Sequence, residues 1–542
     1  MKTLLIGLLA TLPAAQAAAS LPADTTAAAT DIMERDYRFI SDRDAWYTAP
    51  NAAGLIHFAH GHISEATIDA GHEWGGLCDY HESPSTMEWG AAVESYYRLS
   101  RRTVVHGAMS YQNFSGKRMA GSVFIEPLHM PFDIMEDSLD NTGRKHRDTY
   151  RLMGAIGTDV GHGVALGAKV DFTAANYAKY KDLRHKNSYM LLDVTAGVAV
   201  PLGHIARIGA HYWYRRNTET VSYKTYGTTD RDYKSLISYA AFTGEVETFG
   251  QNGFTGSSFE KPYFDESHGL GAQLSICLSP RLSLYNELTY RHRQGYYGSL
   301  SQYTIRYTKH NGNVIAYRGR LQYDAGKALH TLTVTADVDN QKNLRNTYRE
   351  TAADNAATYY EYFEPLKTAN KVIIDFSAAY VARLGVSGEQ ALWTLGATFT
   401  RRRIKQTAYS YPQLRRQRLA TNTFTLSAER IIALRHRHSL TPALALSYQK
   451  GTGDPYEDAL MGATDDATAS LAEMTAYLYR NYEYLTLGRM GLDASLRYAL
   501  PVPRTLLKAF ASLRYSLRSA SSAQWLEGST RQYIGASVGC TF

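Results

Sequence analysis

The strongest constraint on this chain is a hydropathy period of two that recurs from about residue 62 to residue 542. Ile534, Ala536, Val538, Cys540 and Phe542 alternate with Tyr533, Gly535, Ser537, Gly539 and Thr541. Successive side chains of a strand point to opposite faces, so this is a strand with one apolar and one polar side. The pattern repeats at 507–518, where only Phe510 breaks it, and at 490–498, 332–338 and 164–172. Many of these stretches are far longer than the 5 or so residues of an ordinary globular strand.

Turn signals set the topology. Short breaks fall at 100–102, 161–163, 201–203, 279–281, 325–327, 385–388, 435–438 and 501–504, and longer polar connections at about 115–146, 227–266, 346–368 and 452–482. Short turns at one end and long loops at the other describe an all-β, antiparallel, up-and-down transmembrane barrel with periplasmic turns and extracellular loops. Eight short turns, with both termini on that side, predict about 18 strands, or 14 or 16 if a strand is split or a turn misread. In a bilayer every backbone polar group must be paired within the protein, which a closed barrel achieves. The other reading of the alternation is a secreted protein of several β-sandwiches.

Composition agrees once it is divided by face. A hydrophobic fraction of 44% with 20% charged residues resembles a soluble protein, but two unlike surfaces average to that number. Apolar runs of the roughly 20 residues needed for a membrane helix are missing from the mature chain, which excludes helical bundles and not barrels. The formal charge of +7 is modest for 542 residues and gives no reason to expect nucleic acid. Tyr outnumbers Phe, 41 to 17; Tyr290, Tyr448, Tyr498 and Tyr515 end apolar faces, where an interfacial girdle would place them.

The N-terminus reads as a secretory signal: Lys2, an apolar run from Leu4 to Leu12, and Ala15-Gln16-Ala17, with cleavage expected after Ala17. The expected organisation is a signal peptide over 1–17, a short periplasmic or lumen-tucked segment over 18–60, and the barrel over 61–542. Three distant cysteines, Cys78, Cys277 and Cys540, argue against a disulfide framework.

The signal peptide, the alternating strands and the ending Val538-Gly539-Cys540-Thr541-Phe542 resemble Gram-negative outer-membrane proteins. That resemblance implies a terminal signature, carried by Val538, Cys540 and Phe542, for the barrel-assembly machinery. The segment Trp46-Tyr47-Thr48-Ala49-Pro50-Asn51-Ala52-Ala53-Gly54-Leu55 is similar to the Asn-Pro-Ala-Gly stretch that precedes the first strand in fatty-acid-transporter-like barrels. It is also similar to the start of uncharacterised Bacteroidota barrels; here Ala52 stands where the former carry Pro. TonB-dependent transporters carry a plug of well over a hundred residues, for which the segment before the first strand is too short.

Alternation assigns both signs of charge to the lumen: Glu94, Asp171, Asp193, Glu287, Asp337, Asp339, Asp375, Glu429 and Asp493, with Arg98, Lys169 and Arg291. Arg402, Arg489, Arg497, Lys508, Arg514 and Arg518 are candidates for a basic lumen strip favouring anions, or for half of a self-compensating hydrated wall. Asp454, Glu457, Asp458, Asp465, Asp466 and Glu473 mark an acidic extracellular loop, either solvated or folded inward as a gate. His57, His60, His62, His72 and His81 with Cys78 invite a metal or haem reading; the weak metal candidates are His72, Cys78 and His81, in no recognised ligand spacing. For catalysis, His106 and Ser110 share a strand face but stand about 13 Å apart. Asp230, Asp232, Asp265, Glu266 and His268 fall in the 227–268 loop and form no catalytic motif.

The sequence therefore predicts a non-enzymatic outer-membrane barrel without a cofactor. It reads as a porin-like or substrate-binding channel for small polar, including anionic, solutes. The alternative is a barrel subunit of a secretion or nutrient-uptake complex, its lumen closed by loops or a partner. Expected partners are outer-membrane lipid, the assembly machinery and, in the alternative, another envelope protein.

Overall fold

A computed structural model describes residues 32–136, 141–227, 230–251, 253–256, 261–352, 358–461, 472–473 and 475–542. The signal-peptide expectation and the acids Asp465 and Asp466 lie outside them.

Eighteen long strands form the wall. They begin with β1 (His62–Trp74), β2 (Ser85–Arg98), β3 (Thr103–Met119), β4 (Gly143–Gly161), β5 (Val164–Lys179) and β6 (Arg184–Leu202). Next come β7 (Ala206–Lys224), β8 (Lys261–Ser279), β9 (Leu282–Gly298), β10 (Arg306–Asp324), β11 (Ala328–Arg345) and β12 (Leu366–Ser387). The ring is completed by β13 (Gln390–Ser410), β14 (Gln413–Arg430), β15 (Ser439–Leu460), β16 (Arg489–Pro501), β17 (Lys508–Ala520) and β18 (Thr530–Thr541). Each pairs antiparallel with its chain neighbour, and β18 returns to β1 in a register running from Glu65↔Thr541 to Trp74↔Gln532. Ser64 and Phe542 exchange main-chain hydrogen bonds at 2.8 and 3.0 Å, extending this seam. All eight predicted turns connect strands at one end, and the ring has the predicted 18 members.

The alternation sorts as expected. Ile68, Met109, Leu270, Leu446 and Val538 are exposed on the outer face, while Glu65, Thr67, Tyr533, Ser537 and Thr541 line an internal cavity. Phe510, the exception, faces inward and is buried with the Arg497 guanidinium 3.5 Å above its ring. The tyrosines divide in a way the girdle argument missed. Tyr290, Tyr448 and Tyr498 are exposed, but Tyr96, Tyr223, Tyr263, Tyr285 and Tyr297 are among thirteen that are buried. The buried ones pack against chain that enters the lumen.

Two inserts do so. The segment from Ile32 to Phe58, with α1 (Tyr37–Ser41) and a 3-10 stretch (Ala52–His57), crosses at the short-turn end and forms a floor. At the long-loop end the connection after β3 folds inward as a roof. Its strand Asp133–Met135 pairs with Lys234–Ala240, which pairs with Thr243–Thr248 and through it with Ala472–Glu473. The helix α2 (Thr475–Thr486) follows.

Two expectations about loops are corrected. Asp454, Glu457 and Asp458 belong to β15, which runs on to Leu460 because Arg415 and Arg416 of β14 pair with Asp458 at 2.7 Å and Glu457 at 3.5 Å. Asp265, Glu266 and His268 likewise belong to β8. Polar strand extensions carry no apolar face, so hydropathy alone reads them as loop.

Candidate functional site

The lumen is the candidate site, and its floor is built from the chain's own N-terminal residues. Asp36 caps α1 by accepting a hydrogen bond from the Phe39 N–H at 3.0 Å. Arg35 and His60 both reach Glu389, in the β12–β13 turn; the Arg35 contact is 2.5 Å. Burial pushes the Glu389 carboxyl up, but His60 and Arg35 outweigh it and bring it down to about 2. Asp42 receives Arg320 at 3.4 Å and Arg383 at 2.5 Å, and Lys508 donates to the Arg35 carbonyl. Burial drives His57 down to about 3, with Arg207 and Arg98 adding to the effect, so its ring is neutral at pH 7.

The motif around Asn51 has a structural explanation. Asn51 donates to the carbonyls of Val198 and Ala210 and to Gln273 Oε1, at 3.0, 3.3 and 2.8 Å, and accepts from the Ala53 N–H. The wall makes room with glycine: Gly157, Gly167 and Gly197 stand in register across β4, β5 and β6. A Cβ on Gly167 would lie 2.0 Å from the Ala53 nitrogen, and one on Gly197 2.4 Å from Asn51 Oδ1.

The roof meets the complementary problem, because its backbone is cut off from bulk water and its carbonyls need donors. Wall side chains supply them. Lys145 donates to the carbonyl of Ser122 at 2.9 Å, Lys371 to those of Leu128 and Met130 at 2.9 and 2.7 Å, and Asn187 to that of Val123 at 2.8 Å. Glu136 closes the roof between Lys145, at 2.5 Å, and Lys179, both lysines fully buried. Burial works to raise this carboxyl, but the two ammonium groups hold it below the usual range. Asp133 is raised by burial to about 6 despite a hydrogen bond from Ser122.

Between roof and floor lie cavities of about 360 and 290 Å³. The larger lies under Glu126, His129 and Met130 of the roof and is lined by Arg215, Arg291 and Arg293 on one arc of wall and Asp337, Asp339 and Asp375 on the next. Of the candidate basic strip, Arg497, Lys508 and Arg514 line the smaller. Three of its members are paired: Arg402 with Asp375 at 2.7 Å, Arg497 with Glu65 at 2.9 Å and Arg518 with Asp493 at 2.9 Å. Arg489 binds Gln449 at 3.0 Å and stacks on Tyr484, whereas Arg514 faces the lumen with no hydrogen bond or ion pair to a described residue.

The structure does not gather the histidines. His72 stacks on Trp74 on the outer face of β1, His81 lies against Tyr80, and Cys78 is buried under Arg480, whose Nη2 is 2.9 Å from its sulfur. Among the described residues no three His, Cys, Asp or Glu side chains come together as a metal site, and all three cysteines are free. His106 is stacked on Tyr96 with Nε2 2.8 Å from Glu94. Sequence reasoning missed the roof-holding residues Lys145, Lys179, Lys371 and Glu136. Their signal was lysines at the loop-end extremes of long strands.

No curated protein matches the chain. Among solved structures, it is 10% identical to BauA, the ferric preacinetobactin receptor of Acinetobacter baumannii, with 88% of this chain and 79% of that one covered and a TM-score of 0.36. The outer membrane transporter YddB from Escherichia coli gives 9% identity, coverages of 88% and 81%, and a TM-score of 0.40. A TodX monoaromatic hydrocarbon channel variant gives 10%, 92% and 93%, and 0.32. Superpositions this loose leave the fold resting on its own strand pairing. Residues 52–542, from the floor segment through the whole barrel, match a single family, and the chain therefore belongs to the family of unknown function DUF6850.

Proposed function

We propose that this protein is an outer-membrane transport barrel: a non-enzymatic, substrate-binding channel for small polar solutes, with the floor and roof as its gates. The observation that carries the reading is the charge-lined cavity of about 360 Å³ held beneath the roof inside an apolar-jacketed ring. Eighteen strands enclose more space than wall side chains fill, and here chain folded into the lumen takes up the difference. A preference for anions rests on Arg514 and Lys508, since Arg402, Arg497 and Arg518 are each answered by a carboxylate.

Planar-bilayer conductance tests this. The full chain should conduct weakly, and a variant lacking residues 120–136 should give larger, stable currents. A barrel that stays silent with both the roof and residues 32–57 removed would overturn the channel reading. The same inserts favour a second reading, a closed barrel subunit that docks another envelope protein; silent conductance together with a stoichiometric co-purifying partner would select it.

A further inference from the structure

The geometry points to a ligand class for the cavity beneath the roof: a small zwitterion of amino-acid size, its carboxylate taken by Arg291 and Arg215 and its ammonium by Asp337. This deepens the transport reading and rests on it.

Most charges in the cavity are already answered. Arg293 lies 2.9 Å from Asp265 and 3.3 Å from Asp339, and Asp375 is held by Arg402. Arg291 is different: it stacks 4.5 Å over Trp213 and makes no hydrogen bond or ion pair with a described residue. Among the described residues Arg215 has only Asp193, at 3.9 Å. Asp337 stands directly opposite Asp375 in the β11–β12 register and has no hydrogen-bonding or ion-paired partner among the described residues. Like charges directly opposite on one sheet face are destabilising, and a cation beside Asp337 would relieve that repulsion.

An unanswered wall cation, Arg291, and an unanswered wall anion, Asp337, thus line the same space, with Glu126 on its roof side. Their strands, β9 and β11, are two apart in the sheet, about 10 Å. That gap suits an α-amino acid making a charged hydrogen bond at each end. A guanidinium fork matches a carboxylate, and Val314, Ile373 and Met130 offer apolar contact for a neutral side chain. A simple anion would leave Asp337 unanswered, and a simple cation would leave Arg291.

The test is calorimetry on the purified full-length barrel in detergent with L-leucine, N-acetyl-L-leucine and L-leucinamide. L-leucine should bind saturably, and each blocked analogue should bind about tenfold or more weakly. Arg291→Gln should weaken L-leucine by a similar factor yet barely change leucinamide, which has no carboxylate. Asp337→Asn should do the converse with the N-acetyl compound, so either variant suffices if the other fails to fold. Blocked analogues that bind as well as L-leucine, or no L-leucine binding by a barrel with normal heat-modifiable migration, would overturn the assignment. Liposome uptake separates the two failures. Solute passage without zwitterion binding refutes the ligand class alone, and zwitterion binding without passage of any solute refutes transport.

Discussion

Glu136 shows how much one carboxylate carries in this lumen. It is the counter-charge of two lysines with no solvent exposure, so Glu136→Ala would take that carboxylate away from two buried ammonium groups. Breaking a buried pair from one side costs about 3–5 kcal/mol. The roof should therefore detach, seen as faster proteolytic nicking within 119–142 while the barrel keeps its heat-modifiable gel shift. Glu389 gives a pH dependence at the other end. Its carboxyl falls from an ordinary 4.5 to about 2 in the folded state. Its contribution is present in full above pH 4.5 and is lost as the pH falls toward 2. Acid titration should thus loosen the floor in that window, read as a red shift of the buried Trp46 emission obtained by difference from Trp46→Phe. Glu389→Gln should remove this step.

At the scale of elements, the floor docks because three adjacent strands give up a side chain in register. Gly167→Leu places atoms where the Ala53 backbone lies. Overpacking of this kind costs about 1–3 kcal/mol, here charged to floor docking and not to the ladder. The expected result is a protease-accessible 32–58 segment on an intact barrel, with higher conductance than the unsubstituted protein. The same strands show why sequence-based boundaries failed at the loop end. Beyond the apolar belt a strand such as β15 is wet on both sides, and Asp458 is kept in the ladder by Arg415 across the pair. Period two disappears from hydropathy there although the backbone remains extended.

For the whole molecule, closure is the deciding event, since an open ring would leave two unpaired edges. Among the eighteen wall strands, the β1–β18 seam is the one pairing between strands far apart in the chain. Val538→Pro removes a ladder donor there and should sharply reduce the heat-shifted fraction on a gel, where Val538→Thr should not. The barrel, its strand number and its two faces were legible in the sequence because they follow from local periodicity and turn residues, each set by neighbours a few positions apart. The floor was half legible: a short segment ahead of β1 was evident, but not that Asn51 would meet Val198, Ala210 and Gln273. The roof and the pairing of lumen charges were not legible. Which cation meets which carboxylate depends on register around a closed ring and on what folds into it. Only the tertiary structure decided that half of the basic strip, Arg402, Arg497 and Arg518, would meet carboxylates, and that Arg291 and Asp337 would line one cavity with no hydrogen-bonding or ion-paired partner among the described residues.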